Sequence, residues 1–117
     1  MWTVSREAGG LVALMFIATG MAKLLGHPKM VEASAHLGYS MRAFRIIGLL
    51  EVLGAAGILL APLYLPLSIA AATGLILLTI GAGIAHLRAS DPVAVATPAL
   101  VCALLTTAAI GVQIAAA

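Results

Sequence analysis

Four long apolar runs divide this chain, and short polar segments separate them. The first, Gly10–Leu25, is closed by Gly26-His27-Pro28. The most polar stretch follows, HPKMVEASAHLGYS at 27–40, where Pro28 can open a short helix and Gly38 can close it. Met30, Val31 and Leu37 alternate loosely with Lys29, Glu32 and His36, a pattern that fits an interfacial helix and a re-entrant loop equally. A second helix starts near Met41 and runs to Ala61, with Arg42 and Arg45 able to snorkel to the interface. Pro62-Leu-Tyr-Leu-Pro66 makes an uncharged turn, and the third helix then meets no charge until His86 and Arg88. After the polar segment ASDPVAV, Thr97 as cap and Pro98 at the first position would begin the fourth helix. A start at Asp91-Pro92 would instead leave Pro98 kinking the helix.

These elements predict an all-α fold: one domain, 1–117, forming an integral membrane four-helix bundle of up-down antiparallel topology. Its helices cover about residues 9–25, 41–61, 66–87 and 97–116, with the interfacial or re-entrant segment between helices one and two. No internal repeat is visible. Five of the six Lys and Arg residues (Lys23, Lys29, Arg42, Arg45, Arg88) fall at the face holding loops 1–2 and 3–4, and only Arg6 at the other. That face is expected to be cytoplasmic, with both termini extracytoplasmic. A cleaved signal peptide competes for the first run, but Glu7 neutralises Arg6 and the lysines lie on the far side, the wrong charge order for a signal.

Composition narrows the function classes. The chain is 63% hydrophobic and 9% charged, too few charges to give a soluble surface, so the lipid bilayer is its first partner. The net charge of +2 sits at the membrane flanks, and no stretch interleaves aromatic and basic residues for nucleic acid. Cys102 stands alone, which excludes an internal disulfide or a CxxC motif; it reads as a small helix-packing residue. No Gly-rich phosphate loop or pair of axial ligands marks a bound cofactor.

The stretch Ile46–Leu60 carries the candidate chemistry, because it buries a carboxylate, Glu51, among lipid-compatible residues. An ionisable group there costs about 2.5–3.5 kcal/mol on insertion scales, so it is expected to face inward and find a partner. Gly48, Gly54 and Ala55 share its face and would let other helices approach. Lys23, His86 and Arg88 reach the same half of the bundle, accompanied by Thr19, Gly20, Thr79 and Gly83 on the matching faces. Glu51 and His86 are therefore the catalytic candidates, and Lys23, Glu51, His86, Arg88, Thr19 and Thr79 the ligand-binding ones. A pocket of this kind suits a lipophilic molecule with a polar head. A quinone carbonyl would accept from His86 or Lys23 while Glu51 relays a proton. Against this stands a structural role, in which Glu51 pairs with Lys23 or Arg88 and fixes helix register. His27, His36 and His86 lie toward one face, but their spacing lacks metal-site logic, and no metal is expected. Trp2 and Tyr64 suit interfacial anchors at the outer face, Tyr39 at the inner one.

The order T-G-M-A-K-L at Thr19–Leu24, L-G-Y at Leu37–Tyr39, I-G-L-L-E-V-L-G at Ile47–Gly54 and A-H-L-R at Ala85–Arg88 resembles the DoxX family of small bacterial and archaeal membrane proteins. The likeness spans about residues 10–115 and is closest to the shorter DoxX-like subgroup. It implies a four-helix bundle in a bacterial or archaeal plasma membrane, with Lys23, Glu51, His86 and Arg88 on the family pattern. Some members resemble subunits of thiosulfate:quinone oxidoreduction or partners of sulfur-handling and superoxide-removing enzymes. The resemblance thus implies an accessory or redox-linked subunit, docked by cytoplasmic redox or sulfur enzymes, with a homo-oligomer left open. The alternative is a small membrane enzyme, an isomerase, cyclase or hydrolase, with Glu51 as general acid or base.

Overall fold

The computed structural model describes residues 2–116, all but two of whose side chains (Trp2 and Ser5) are described. They form five α-helices: α1 Trp2–Leu24, α2 Pro28–Leu37, α3 Met41–Leu59, α4 Leu65–Arg88 and α5 Val93–Ala116. The count exceeds the expected four because the polar segment after α1 is itself a helix. The anchor expected at Trp2 lies outside the described side chains.

Glycine and one serine set the ends that matter for the site. Gly26, Gly38 and Ser90 have φ of 68°, 81° and 63°. Each lets the next residue's N–H reach back five positions: His27 to Ala22, Tyr39 to Ser34, and Asp91 to His86, at 2.8–3.0 Å. Three helices therefore close with the same Schellman cap. Only at Ser90 does a non-glycine residue hold the left-handed conformation, at a cost of about 1–2 kcal/mol. At the other ends, Pro28 opens α2, and the Ser40 hydroxyl accepts the Ala43 N–H at 3.1 Å to cap α3.

Two starts differ from expectation. α1 begins at Trp2 rather than near residue 9, because Thr3, Arg6 and Glu7 stay exposed in its first turns. α5 begins at Val93, so Thr97 is not its cap; the Thr97 hydroxyl donates to the Val93 carbonyl at 3.0 Å. Pro98 is the sixth residue of the helix and withholds one N–H, the one Ala94 would accept. One lost bond so near an end leaves the rest of the ladder intact.

α1 packs on α3 and α5, and α4 on the same two, while α2 lies against α3 and α4. Neighbouring long helices run antiparallel: Gly20 of α1 meets Gly48 of α3, and Gly9 meets Ile58. The core is built from Val12, Phe16, Ile58 and Leu75 with small residues between them, and Cys102 packs against it. At the Gly9 end, Ser68 donates to Gln113 Oε1 at 2.8 Å, and Gln113 Nε2 donates to the Ile58 carbonyl at 3.4 Å. This buried pair of side chains ties α3, α4 and α5 together.

Three helical stretches are long and apolar enough to cross a membrane: Arg6–Leu24, Leu65–Arg88 and Val93–Ala116. α3 is not among them, because Arg42, Arg45 and Glu51 all fall within its 19 residues; three of the four expected spans are thus long and apolar enough.

The expected contacts at Gly48 and Gly54 are present. A Cβ on Gly48 would stand 2.6 Å from the Gly20 carbonyl oxygen, and one on Gly54 2.7 Å from Leu75. Backbone cannot swing aside as a side chain does. Gly48→Ala is therefore expected to lower stability in detergent by about 1–3 kcal/mol. Gly111→Ala, where a Cβ meets nothing within 4 Å, should be neutral or gain about 0.5–1 kcal/mol from helix propensity. Wild-type melting of the Gly48 variant would overturn the close crossing of α1 and α3.

Candidate functional site

The α1–α3 crossing decides which cation Glu51 receives. Lys23 lies three residues beyond Gly20 and Glu51 three beyond Gly48, so each charge shares the face of its glycine. Lys23 Nζ donates to Glu51 Oε1 at 2.8 Å. Glu51 Oε2 lies 3.2 Å from the Thr19 hydroxyl, which has one proton to share among Glu51 and the Met15 and Phe16 carbonyls. Glu51 is 7% exposed, and both of its oxygens have a donor on α1. The Lys23 ammonium also sits over the Phe44 ring, 5.8 Å from its centre, a favourable cation–π contact.

Lys23 and Glu51 form the charged part of the wall of a cleft of about 450 Å³. α3 adds Phe44 and Ile47, and α4 adds Leu78, Thr79 and the bare backbone of Gly74. Leu37 at the end of α2 and Tyr39 beyond it complete one side. Thr79 donates to the Ile76 carbonyl at 2.8 Å, so its oxygen keeps lone pairs for a ligand. The size and the lining, apolar with a few converging polar groups, are those of a small-molecule site.

His86 and Arg88, expected beside Glu51, are elsewhere. Neither lines the cleft, and Arg88 is exposed. His86 Nδ1–H donates to Asp91 Oδ2 at 2.8 Å, and His36 Nε2–H to Asp91 Oδ1 at 2.6 Å. One carboxylate thus joins α2, α4 and the loop before α5. Sequence reasoning overlooked Asp91, although it is the chain's only aspartate and follows His86 by five residues. Among the described residues, no group of three or more His, Cys, Asp or Glu is placed to hold a metal ion.

The hydrogen bonds from His86 and then His36 hold the Asp91 carboxyl below the ordinary value of 3.8. A depressed folded value means stabilisation that is present above 3.8 and is lost as pH falls through the folded value. Melting is expected to fall on acidification below pH 3.8, and Asp91→Asn should remove part of that fall. Superimposable acid profiles for the two proteins would show that the latch contributes nothing to stability.

No curated protein and no solved structure matches the chain. A family model does, over residues 8–108, a span that contains the crossing glycines, the ion pair and every residue of the cleft wall. With its candidate membrane spans, the chain is a multi-pass membrane protein and belongs to the DoxX-like family.

Proposed function

We propose that the protein binds a lipophilic small molecule with a neutral, hydrogen-bond-accepting head, of which a quinone carbonyl is the fitting example, and that it serves as an accessory or redox-linked membrane subunit. The observation that carries this reading is the Lys23–Glu51 pair, the charged part of the wall of a mostly apolar cleft. An ammonium has three N–H donors, and Glu51 takes one. A carbonyl in the cleft would accept another. Glu51 cancels the charge of Lys23, so an anionic head would meet a carboxylate and a neutral one is favoured. The hydrogen-bonded pair also offers a proton path to a head that gains electrons. Glu51 holds Lys23 with one oxygen and is within reach of the Thr19 proton with the other, an arrangement that suits orienting an ammonium better than taking a substrate proton. Binding is therefore favoured over acid–base catalysis.

In the same reading all four long helices cross the bilayer. α3 is 19 residues, about 28 Å long, and its charges are either near its start or paired. α2 lies at the cytoplasmic interface, where Lys29, Arg42, Arg45 and Arg88 gather, and the termini are extracytoplasmic.

Two measurements test this. The double replacement Lys23→Met with Glu51→Leu should fold, since apolar substitutes for a buried pair are often neutral or stabilising. It should nevertheless lose binding of a benzoquinone in calorimetric titration. Wild-type binding by a well-folded double variant would reduce the pair to a register device. A periplasmic reporter fused to the C-terminus should be active, and activity of a cytoplasm-only reporter there would reverse the orientation.

A further inference from the structure

We infer that the ligand's hydrocarbon tail occupies a groove between α3 and α4 that continues the cleft past Gly74, so that the ligand class is a neutral polar head on a linear alkyl or prenyl chain. This rests on the reading of Lys23 and Glu51 as the head site. A second cavity of about 320 Å³ shares Gly74 and Leu78 with the head cleft. It runs along α4 as far as Leu67 and along α3 as far as Gly57. Leu78 to Leu67 is about 16 Å of helix, which suits a chain rather than a compact ring. Its lining holds only Leu, Ala and Gly, so nothing in it would recognise a second polar group.

The groove exists because side chains are missing along it. Gly54 and Gly57 let Leu75 and Ala71 come within 2.7 and 2.5 Å of where a Cβ would stand, which draws α4 against α3. Gly74, at the junction of the two cavities, has the opposite property: a Cβ there meets nothing within 4 Å. The passage between the two cavities is therefore open at that point. A bulk phospholipid keeps its head at the interface, whereas the polar end of this groove is the half-buried Lys23 held against the buried Glu51. That position favours a ligand whose head is weakly polar enough to leave the interface.

The experiment uses the full chain in nanodiscs of a single saturated phosphatidylcholine. Two probes, tetramethylbenzoquinone and a benzoquinone with a decyl tail, are titrated with protein-free discs as reference. Wild-type protein is expected to bind the decyl probe at least about tenfold more tightly than the tailless one, a difference of about 1.4 kcal/mol. Ala70→Leu, in the groove but outside the head cleft, should melt as wild type, keep the tailless probe and lose the tenfold advantage. Leu53→Trp, on the facing α3 wall of the groove and likewise outside the head cleft, should do the same and serves as the second obstruction. An advantage that survives both variants would overturn the tail path while leaving the head site intact. Absence of any advantage in wild type would mean that bulk lipid alone fills the groove, and would also overturn it. Unchanged binding of both probes by the Lys23→Met, Glu51→Leu protein would instead overturn the head reading.

Discussion

The backbone contact between Gly20 and Gly48 is the constraint on which the rest of this structure depends. At each, an added Cβ would press on the other's carbonyl oxygen, at 2.7 and 2.6 Å, so neither tolerates a side chain without parting α1 from α3. In lipid, where apolar surface has little reason to leave its surroundings, close backbone packing of this kind is a main source of helix association. It also works as an alignment device. With α1 and α3 antiparallel and held at those glycines, Lys23 lands beside Gly48 and Glu51 beside Gly20, on either side of the contact, and the long lysine side chain reaches across it to the carboxylate.

The charge pairing follows from that geometry and in turn limits it. An unpaired carboxylate at this depth would cost several kcal/mol, and sliding one helix past the other would separate it from its ammonium. The glycines bring the charges together, and the charges penalise other registers. Neither contact closes the cleft, because α4 contributes Gly74, Gly81, Ala82 and Ala85 to its wall beside Leu77 and Leu78. An ion pair required only for register could be sealed by leucines at Gly74 and Gly81, yet both positions are glycine with open space where a Cβ would project.

Much of this was legible in the amino-acid pattern. The apolar runs, the breaks at Gly26 and Gly38 and the inward face of Glu51 rest on local chemistry, which a sequence displays directly. Choosing Lys23 over His86 and Arg88 was not possible, because three cations reach that half of the bundle and only the glycine crossing ranks them. The start of α5 was misplaced for a physical reason: a proline is a strong first-turn residue, but it is also tolerated a few residues farther in, where it withholds a single bond. Asp91 escaped notice because its placement depends on Ser90 adopting a left-handed conformation, and a serine gives no warning of that as a glycine would.

The left-handed serine has a consequence for access to the cleft. It turns the chain so that Asp91 faces back toward α4 and α2, where it accepts from His86 and His36 together. His36 precedes Leu37, the residue through which α2 contributes to the cleft wall, and Tyr39 follows from the Gly38 cap. The position of that wall is therefore held by one carboxylate and one glycine turn, with few other contacts between α2 and the long helices. Among the long helices, by contrast, Ser68 and Gln113 make buried hydrogen bonds, and the buried Glu51 holds Lys23. The molecule thus combines a cleft whose ion pair is set in the long helices with a side wall attached by exposed or half-buried polar groups. Such contacts occupy the low end of a protein's local stability. Under the proposed reading, a lipophilic ligand would have two ways in: past α2 from the membrane surface, or sideways from the bilayer along the open groove of α3 and α4. The second requires no part of the protein to move.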